Sequence, residues 1–474
     1  MKATRLSRRG FLHMSVLVLA GGVLAGCGPA PTPQVIKETV KETVEVTVKE
    51  TVVVSATAEP AQKREPFVLN HMARHDFESQ RLAVKAWNDS HPDVTIKMDE
   101  VVGDTWDYYR IKMMQELAAG NPPDTVFTDV WYFRIYAIDN VFMNLEPLID
   151  KDGQFKKSDL WDVCVTNCSS PDIHGQMYCL PYDYGTHALA FNKKIFDEEK
   201  IPYLDKTKEY SWENDILPLA LELTRDLNGK KATESGFDPL RIDRYGVNPY
   251  TYLYWWYITQ AGGQCFDESF TKSTMNSPEA LDGIQFLYDL QNKYYVSPSP
   301  AYQQSQPIGF QTGKIAMSMV ATWDIPGWTP TIDFDWDIVR PPRRKVKIGD
   351  GRVSGMAILS ATKHVEDAWQ WIKYLSIGLG QEFKQITAGA IHPIKSKARN
   401  DTFMKRTQPP YNMEAFIQEA ELGGGPPLFR YWAEYNDMCS AEITRAYANE
   451  VTVKEALDTC VQKTEYLLAN GKLP

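Results

Sequence analysis

The sequence has little that indicates catalysis or a membrane-embedded body. After residue 27, no apolar run reaches the roughly 18 residues that suggest a membrane-spanning helix. The chain also lacks a Gly-x-Ser-x-Gly elbow, a His-Glu-x-x-His motif and a glycine-rich loop ending in Gly-Lys-Ser/Thr. No local signature therefore indicates an enzyme. A glycosidase pair of carboxylates stays open, because the fold rather than local spacing would bring such a pair together.

Basic residues are fewer than acidic ones. The chain has 51 Lys and Arg against 61 Asp and Glu, so its formal net charge is −10. The first 26 residues contain four of these cations and no acid, so their removal would bring the charge to −14. Such an acidic chain argues against nucleic acid or anionic lipid as the main partner.

The amino terminus has the parts of an export signal. Arg8 and Arg9 precede a short apolar run from Phe11 to Ala25, and small residues lead to Cys27. The arginine pair resembles a twin-arginine export signal, and Leu-Ala-Gly-Cys resembles a lipobox, in which the cysteine is lipidated and becomes the new N-terminus. We predict that residues 1–26 are removed and that lipid on Cys27 anchors the chain on the extracellular or periplasmic side of the cell membrane. A retained signal anchor is the alternative.

Residues 27–65 are predicted to be an extended or disordered tether. Prolines at 29, 31 and 33 precede a crude repeat of Lys-Glu-Thr-Val that begins at Lys37, Lys41 and Lys49. This stretch lacks aromatic residues and the bulk for a core of its own. Apolar residues recur every four positions, but β-branched Val and Thr oppose a helix. A self-associating helix or strand is the alternative.

The globular body, from about residue 66 to residue 474, is predicted to be α/β and two-lobed. At roughly 400 residues, it is too long to fold around a single hydrophobic core of ordinary size. Its opening pattern alternates strands with helices, at Phe67–Asn70, Asp76–Asn88, Val94–Met98, Trp106–Ala119 and Thr125–Phe127. Such alternation indicates a mainly parallel sheet, in which ligands sit at the carboxyl ends of the strands.

Short motifs in a fixed order resemble one family. They are Gly120-Asn121-Pro122-Pro123-Asp124, Met177 to Asp183 with Leu189 to Phe196, Tyr210 to Glu213, Phe310 to Met317 with Thr322-Trp323-Asp324, Ser360 to His364 with Ala368-Trp369, and Val453 to Leu457. Their order and spacing are similar to those of the family 1 extracellular solute-binding proteins of ABC importers, which include the maltose-binding proteins. The resemblance implies a periplasmic-binding-protein-like fold, with two α/β lobes joined by a hinge. It also implies delivery of the bound solute to the transmembrane subunits of a permease.

The hinge is expected where strands pass between lobes. Asp183 to Thr186, with Gly185 at its centre, is the first candidate, and Gly351 to Gly355 and Ile391 to Pro393 are the others. The resemblance implies discontinuous lobes, with residues 66–184 and about 358–392 in the first and about 188–354 and 393–474 in the second. The alternative is that the glycines at these positions only form turns.

Aromatic residues, at 12% of the chain, suggest a sugar ligand. A sugar ring stacks its C–H face on an aromatic ring, while its hydroxyls need charged or amide partners. The resemblance implies stacking by Trp323 and Trp432, with Tyr252 as a third platform. Asp183 also lies in a predicted loop that could supply an acceptor. The candidate ligand-binding residues are Arg74, His75, Asp76, Asp129, Trp131, Tyr184, Gly185, Tyr252, Tyr254, Trp323, Asp324 and Trp432. For each, core packing or turn formation is the alternative.

The cysteines other than Cys27 are even in number. An exported setting favours a disulfide among Cys164, Cys168 and Cys179, and Cys439 with Cys460 is a second option if two late helices pack antiparallel. Zinc held by the first group with His174 is an alternative, although the spacing fits no common pattern.

We therefore predict a monomeric, carbohydrate-binding lipoprotein of an ABC transporter, without catalytic residues, cofactor or metal. An exported glycoside hydrolase and a binding protein for another small polar solute are the alternatives.

Overall fold

The computed structural model describes residues 65–474, apart from 75–76, 104–105, 130, 170 and 306–307. The predicted export signal, Cys27, nearly all of the tether, His75 and Asp76 therefore lie outside the described residues.

The described strands form two five-stranded sheets. The strands are β1 (Phe67–Ala73), β2 (Val94–Glu100), β3 (Thr125–Asp129), β4 (Cys179–Gly185), β5 (His187–Asn192), β6 (Arg225–Asp226), β7 (Ile242–Asn248), β8 (Ile315–Ala321), β9 (Trp336–Val339) and β10 (Arg352–Ile358). The first sheet has the order β2-β1-β3-β10-β4 and the second β6-β7-β8-β5-β9. We call the parts built on these sheets the first lobe and the second lobe.

Helices cover both sheets. They are α1 (Phe77–Ser90), α2 (Trp106–Ala118), α3 (Phe133–Ile138), α4 (Glu146–Lys151), α5 (Asp162–Asn167), α6 (Lys193–Glu198), α7 (Leu217–Leu223), α8 (Tyr254–Gln260), α9 (Pro278–Asn292), α10 (Pro300–Ser305), α11 (Ile325–Trp328), α12 (Val365–Ser376), α13 (Leu379–Ala388), α14 (Asp401–Met404), α15 (Glu414–Ala420), α16 (Trp432–Tyr447) and α17 (Val453–Asn470). None of the described helices is long and apolar enough to cross a membrane.

The five opening elements predicted from the sequence are confirmed, with ends that move by a few residues. Local patterns explain them. In α1 the buried side chains Ser79, Gln80, Ala83 and Trp87 recur at helical spacing, so one face packs on the sheet. In contrast, β8 is buried at all seven positions, as expected of a strand covered on both sides. The predicted α/β class is therefore correct.

Strand directions bring several chain segments to one edge of the first sheet. β1 runs parallel to β2 and β3, and β10 runs antiparallel to β3 and β4. Consequently the carboxyl ends of β1, β3 and β4 meet the amino end of β10. Ser354 pairs with Asp129, and Arg352 pairs with Gly185. This edge is where a parallel sheet offers its ligand site.

Within the described residues, three passages connect the two sheets. β4 ends at Gly185 in the first sheet and β5 begins at His187 in the second, so the first passage falls at Thr186, inside the predicted hinge. The second lies between β9 and Arg352, slightly earlier than the predicted lobe boundary.

The third passage differs more from the prediction. Ile394 pairs with Leu160 and α14 contacts α13, so the chain stays with the first lobe as far as Met404. Asn412 then bonds to the carbonyl of Ile338 in the second sheet. The division into moving lobes stays a prediction.

The six cysteines in the described part of the chain are thiols, so the predicted local disulfide is absent. All are buried, and they are Cys164, Cys168, Cys179, Cys265, Cys439 and Cys460. The first three pack in the core between α5 and β4 as small apolar side chains. Burial raises the pKa of the Cys164 and Cys168 thiols well above the ordinary value, which disfavours the thiolate that forms disulfides and binds zinc. Among the described residues no group of His, Cys, Asp and Glu has the arrangement of a metal site.

Candidate functional site

A cleft between the two lobes has a cavity of about 360 Å³ at the edge where the strand ends meet. Its lining is aromatic and charged, and consists of Trp106, Phe127, Asp129, Trp131, Asp183, Trp323, Arg352, Val353, Ser354 and Lys384. Trp323 comes from the second lobe, after β8, and the others come from elements of the first lobe. A ligand in this cavity would therefore contact both lobes.

Aromatic rings stand on opposite sides of the cleft. On the first lobe, Trp106 stacks on Phe127, with ring centroids 5.8 Å apart and planes at 15°. On the second, Trp323 is 45% exposed although it is large and apolar. Gly185 makes room for this indole, because a Cβ there would lie 2.6 Å from the ring. An exposed indole held in place inside a cleft is a platform for an apolar ligand face.

Two carboxylates face the same cavity. Asp129, at the end of β3, accepts a 2.7 Å hydrogen bond from the backbone N–H of Trp131. Burial, reinforced by the nearby charge of Asp183, raises the pKa of Asp129 to about 7, against the opposing effect of Arg352. Asp183 accepts from the backbone N–H of Ser354 at 2.9 Å and forms a 3.2 Å ion pair with Lys384 on α13. These oxygens are oriented acceptors for ligand hydroxyls.

Arg352 lies at the base of the cleft, where the second passage enters β10. Its guanidinium stands over the rings of Trp131 and Trp255, at 5.3 and 4.5 Å from their centroids. It also forms a 3.2 Å ion pair with buried Asp350. The lining thus carries two cations, Arg352 and Lys384, against two carboxylates.

Several predicted residues lie beside the cavity rather than in its lining. Arg74 is buried over Trp106, at 4.7 Å from the ring centroid, and donates to the carbonyl of Gly103. Its burial lowers its pKa. Tyr252 is 44% exposed, and its hydroxyl lies 3.2 Å from Nε2 of His187. Asp324 accepts from the hydroxyl of Tyr250 and from the backbone N–H of Ala321, and burial raises its pKa.

Three other predicted residues are core residues. The hydroxyl of Tyr184 donates to the carbonyl of Ala420, and Tyr254 and Trp432 are also fully buried. Trp432 packs edge-to-face against Trp131 and Trp255, at centroid distances of 6.1 and 5.7 Å. It therefore supports the cleft wall from behind in this arrangement of the lobes.

The family model for bacterial extracellular solute-binding proteins matches residues 78–376, more than half of the chain. The chain belongs to this family. Its members are extracellular binding proteins, in agreement with the predicted export and solute binding.

One relative agrees with this membership, and two solved structures share the fold. A maltotriose-binding protein from Pyrococcus abyssi is 25% identical over 262 residues, 53% of this chain and 51% of the relative, so the match spans about half the length of each. An ABC substrate-binding protein from Listeria monocytogenes, solved in complex with cycloalternan, superposes with a TM-score of 0.74 at 20% identity, covering 85% of this chain and all of the other.

The maltose/maltodextrin-binding domain from Bdellovibrio bacteriovorus, bound to maltotriose, gives a TM-score of 0.67 at 17% identity, with 85% and 100% covered. The predicted periplasmic-binding-protein-like fold is thereby confirmed.

Sequence reasoning did not select six residues that line the cleft of this solute-binding protein, namely Trp106, Phe127, Arg352, Val353, Ser354 and Lys384. Trp106 follows a predicted strand end, so its position was a usable signal. Arg352 lies between two glycines at a predicted hinge, and this position was a second usable signal. Lys384 lies on the amphipathic helix α13, and nothing in the local sequence distinguishes it from a solvent-facing lysine.

A larger hollow of about 520 Å³ lies on the outer face of the first lobe, between α1 and α12. Its aromatic rings are already engaged with one another: Trp87 stacks on His91 at 3.8 Å, and Tyr374 stacks on Trp371 at 5.8 Å. The interlobe cleft, with an open indole and carboxylates oriented by their hydrogen bonds, is the better ligand site.

Proposed function

We propose that this protein captures a sugar or oligosaccharide in the interlobe cleft and delivers it to the permease of an ABC importer. The observation that carries the proposal is the open indole of Trp323, which faces a first-lobe wall containing Trp131 and the carboxylates Asp129 and Asp183. Aromatic faces bind the C–H side of a sugar ring and carboxylates bind its hydroxyls, so the two kinds of group suit one ligand class.

The charge balance of the lining favours a neutral solute. Arg352 and Lys384 are each paired with a carboxylate, Asp350 and Asp183. A phosphate or carboxylate ligand would need cations that are not already neutralised. Asp324 follows Trp323 directly in the chain, and the rings of Tyr252 and Trp323 both lie against His187. We assign these two second-lobe candidates, Tyr252 and Asp324, to the rim of the site.

Relatives support the same ligand class. The maltotriose-binding protein of Pyrococcus abyssi is named for a sugar, and the two structural neighbours contain cycloalternan and maltotriose. We therefore take maltotriose as the first ligand to try.

The mechanism is closure about the passages between the sheets. A solute that contacts both Trp323 and Trp131 binds the closed arrangement better than the open one and shifts the population toward it. Closure removes the solute from water and creates the surface that a permease recognises.

Export and anchoring complete the proposal. Arg8, Arg9 and the apolar run would direct the chain out of the cell, and lipid on Cys27 would hold it near its permease. Residues 28 to about 65 would give the receptor its reach. Metabolic labelling with a radioactive fatty acid should mark the wild-type protein but not Cys27→Ser. Equal labelling of the two chains, or labelling of neither, would refute the lipid anchor.

Binding is tested by calorimetric titration of the mature protein with maltose, maltotriose, glucose, a polyol and glycerol phosphate. We expect saturable binding of one neutral sugar class with one site per chain, and no product after prolonged incubation. Turnover of an oligosaccharide would instead favour a glycoside hydrolase, and binding of glycerol phosphate alone would move the ligand to another class of polar solute.

A further inference from the structure

A chain of buried contacts runs across the second passage between the lobes and ends at Arg352 in the lining of the cleft. Nδ1 of His187, the first residue of β5, lies 2.8 Å from a carboxylate oxygen of Asp350, and both side chains are fully buried. Asp350 in turn pairs with Arg352, the first residue of β10. The contacts therefore connect a strand of the second sheet to a strand of the first.

Arg352 extends this chain across the cleft base by ring contacts. Its guanidinium covers Trp255 on α8 of the second lobe at 4.5 Å and Trp131 of the first lobe at 5.3 Å. Trp131 and Trp255 also meet edge-to-face at 6.2 Å. Nη2 of Arg352 is buried and finds no hydrogen-bond partner among the described residues. The indole faces and Asp350 thus provide the main interactions that offset the desolvation of the Arg352 guanidinium.

Electrostatics agree with this geometry. Burial opposes ionisation of Asp350, but Arg352 and His187 outweigh it and lower the pKa of Asp350 to about 2. The Asp350 carboxylate is therefore charged at neutral pH, where it pairs with Arg352.

Rotation of one lobe against the other must change the contacts that Arg352 and Trp131 of the first lobe make with Trp255 of the second. They are made in the arrangement in which Trp131 and Trp323 line one cavity. Contacts that exist in only one arrangement stabilise that arrangement.

We propose that Asp350 and Trp255 are positioning residues that hold Arg352 as a clasp across the hinge, so that the ligand-binding arrangement of the lobes is favoured from outside the cleft. The effect on sugar affinity rests on the proposed function, whereas the effect on lobe separation does not. Apparent affinity falls in proportion to the fraction of molecules in the competent arrangement.

The test measures lobe separation without ligand first. Fluorescent labels on Leu82→Cys in α1 and Tyr466→Cys in α17 report the distance between lobes, and the six native cysteines of the described region are buried, which favours labelling at the new sites. The background is the mature chain with Cys27 replaced by Ser. Trp255→Leu removes the ring under Arg352, and Trp255→Phe keeps an aromatic face.

Trp212→Leu is the matched control. Trp212 is also fully buried in the second lobe, and its indole N–H, like that of Trp255, has no hydrogen-bond partner among the described residues. Its ring contacts Tyr257 and Phe286, whereas Arg352 stands over Trp255 and Trp131, so the loss of Trp212 should lower thermal stability without opening the lobes.

We expect Trp255→Leu and Asp350→Asn to widen the ligand-free lobe separation and to weaken maltotriose binding. For Trp255→Leu, loss of a desolvated cation–π contact implies an effect of about 3- to 30-fold. Asp350→Asn removes the ion pair that orients Arg352 and should act in the same direction. Trp255→Phe should stay within about threefold of the wild type. If Trp255→Leu does not fold, Asp350→Asn carries the test.

The clasp is refuted if folded Trp255→Leu or Asp350→Asn leaves the lobe separation unchanged, or if Trp212→Leu opens the lobes equally. Absence of maltotriose binding by the wild type would instead refute the proposed ligand class and leave the lobe-separation result to decide the clasp.

Discussion

Replacement of Trp323 by Ala is the perturbation whose size follows most directly from the structure. A Trp side chain buries up to about 250 Å², and Trp323 is 45% exposed, so about 110 Å² of its surface is open to a ligand. At about 25 cal/mol per Å², full coverage of that surface is worth about 2.8 kcal/mol. Its loss would weaken binding by about 100-fold.

A sugar that covers only half of the open indole surface would give about a tenfold loss. We therefore expect the dissociation constant for the best neutral sugar to rise between about 10- and 100-fold, with the same stoichiometry. Isothermal titration calorimetry measures both quantities. Thermal unfolding of the ligand-free variant checks that the fold is intact.

Tyr466→Ala is the matched control, because Tyr466 is an aromatic residue of similar exposure, at 41%, on α17. It should bind sugar like the wild type. Affinity within about twofold of the wild type for folded Trp323→Ala would refute the reasoning and remove this indole from the site.

Two further substitutions test the cleft. Gly185→Ala should weaken sugar binding by displacing the ring of Trp323, because the new Cβ would lie 2.6 Å from that ring. Gly327→Ala is the control, since its Cβ would meet nothing within 4 Å, and it should bind sugar like the wild type. Calorimetric titrations in which the two variants bind equally would contradict this prediction. Burial raises the pKa of Asp129 to about 7 from its ordinary 3.8, so between these pH values the folded protein retains a proton that the unfolded chain loses. The free energy of unfolding should therefore fall as pH rises through this range. The fall is at most about 1.4 kcal/mol per pH unit, and less where water in the cleft screens the charge. Asp129→Asn should remove this slope in urea unfolding measured at several pH values, and an unchanged slope would exclude a protonated Asp129.

The opening elements of the fold could be predicted because their signals are local. Alternating burial in β2 and the helical spacing of Ala83 and Trp87 in α1 are properties of short segments, and neighbouring segments only shift their ends. The first passage could also be placed, because the break between β4 and β5 is marked by Gly185.

Positions that depend on distant partners were harder to predict. Trp432 was expected to stack on ligand, but Trp131 and Trp255, far away in sequence, enclose it. The third passage was expected near Ile391, but a pairing of Ile394 with Leu160 keeps that segment in the first lobe. Neither contact leaves a mark in the local pattern.

The charged part of the site shows the same limit. Asp129 and Asp183 follow or end strands, so their arrival at one sheet edge could be argued from topology. The cations near them come from elsewhere: Lys384 lies about 200 positions beyond Asp183, and the charge of Arg352 acts on Asp129 because β10 pairs with β3. Antiparallel insertion of a late strand into an otherwise parallel sheet has no local signature.

The central claim is that this cleft closes over a neutral sugar. Calorimetric titration of the mature chain with maltotriose, paired with lobe-separation measurements on the same samples, tests it most directly. The account predicts saturable binding with one site per chain, a shorter distance between lobes at saturation, and strong weakening of both effects in Trp323→Ala. Binding of no neutral sugar, or sugar binding that leaves the lobe distance unchanged, would contradict it.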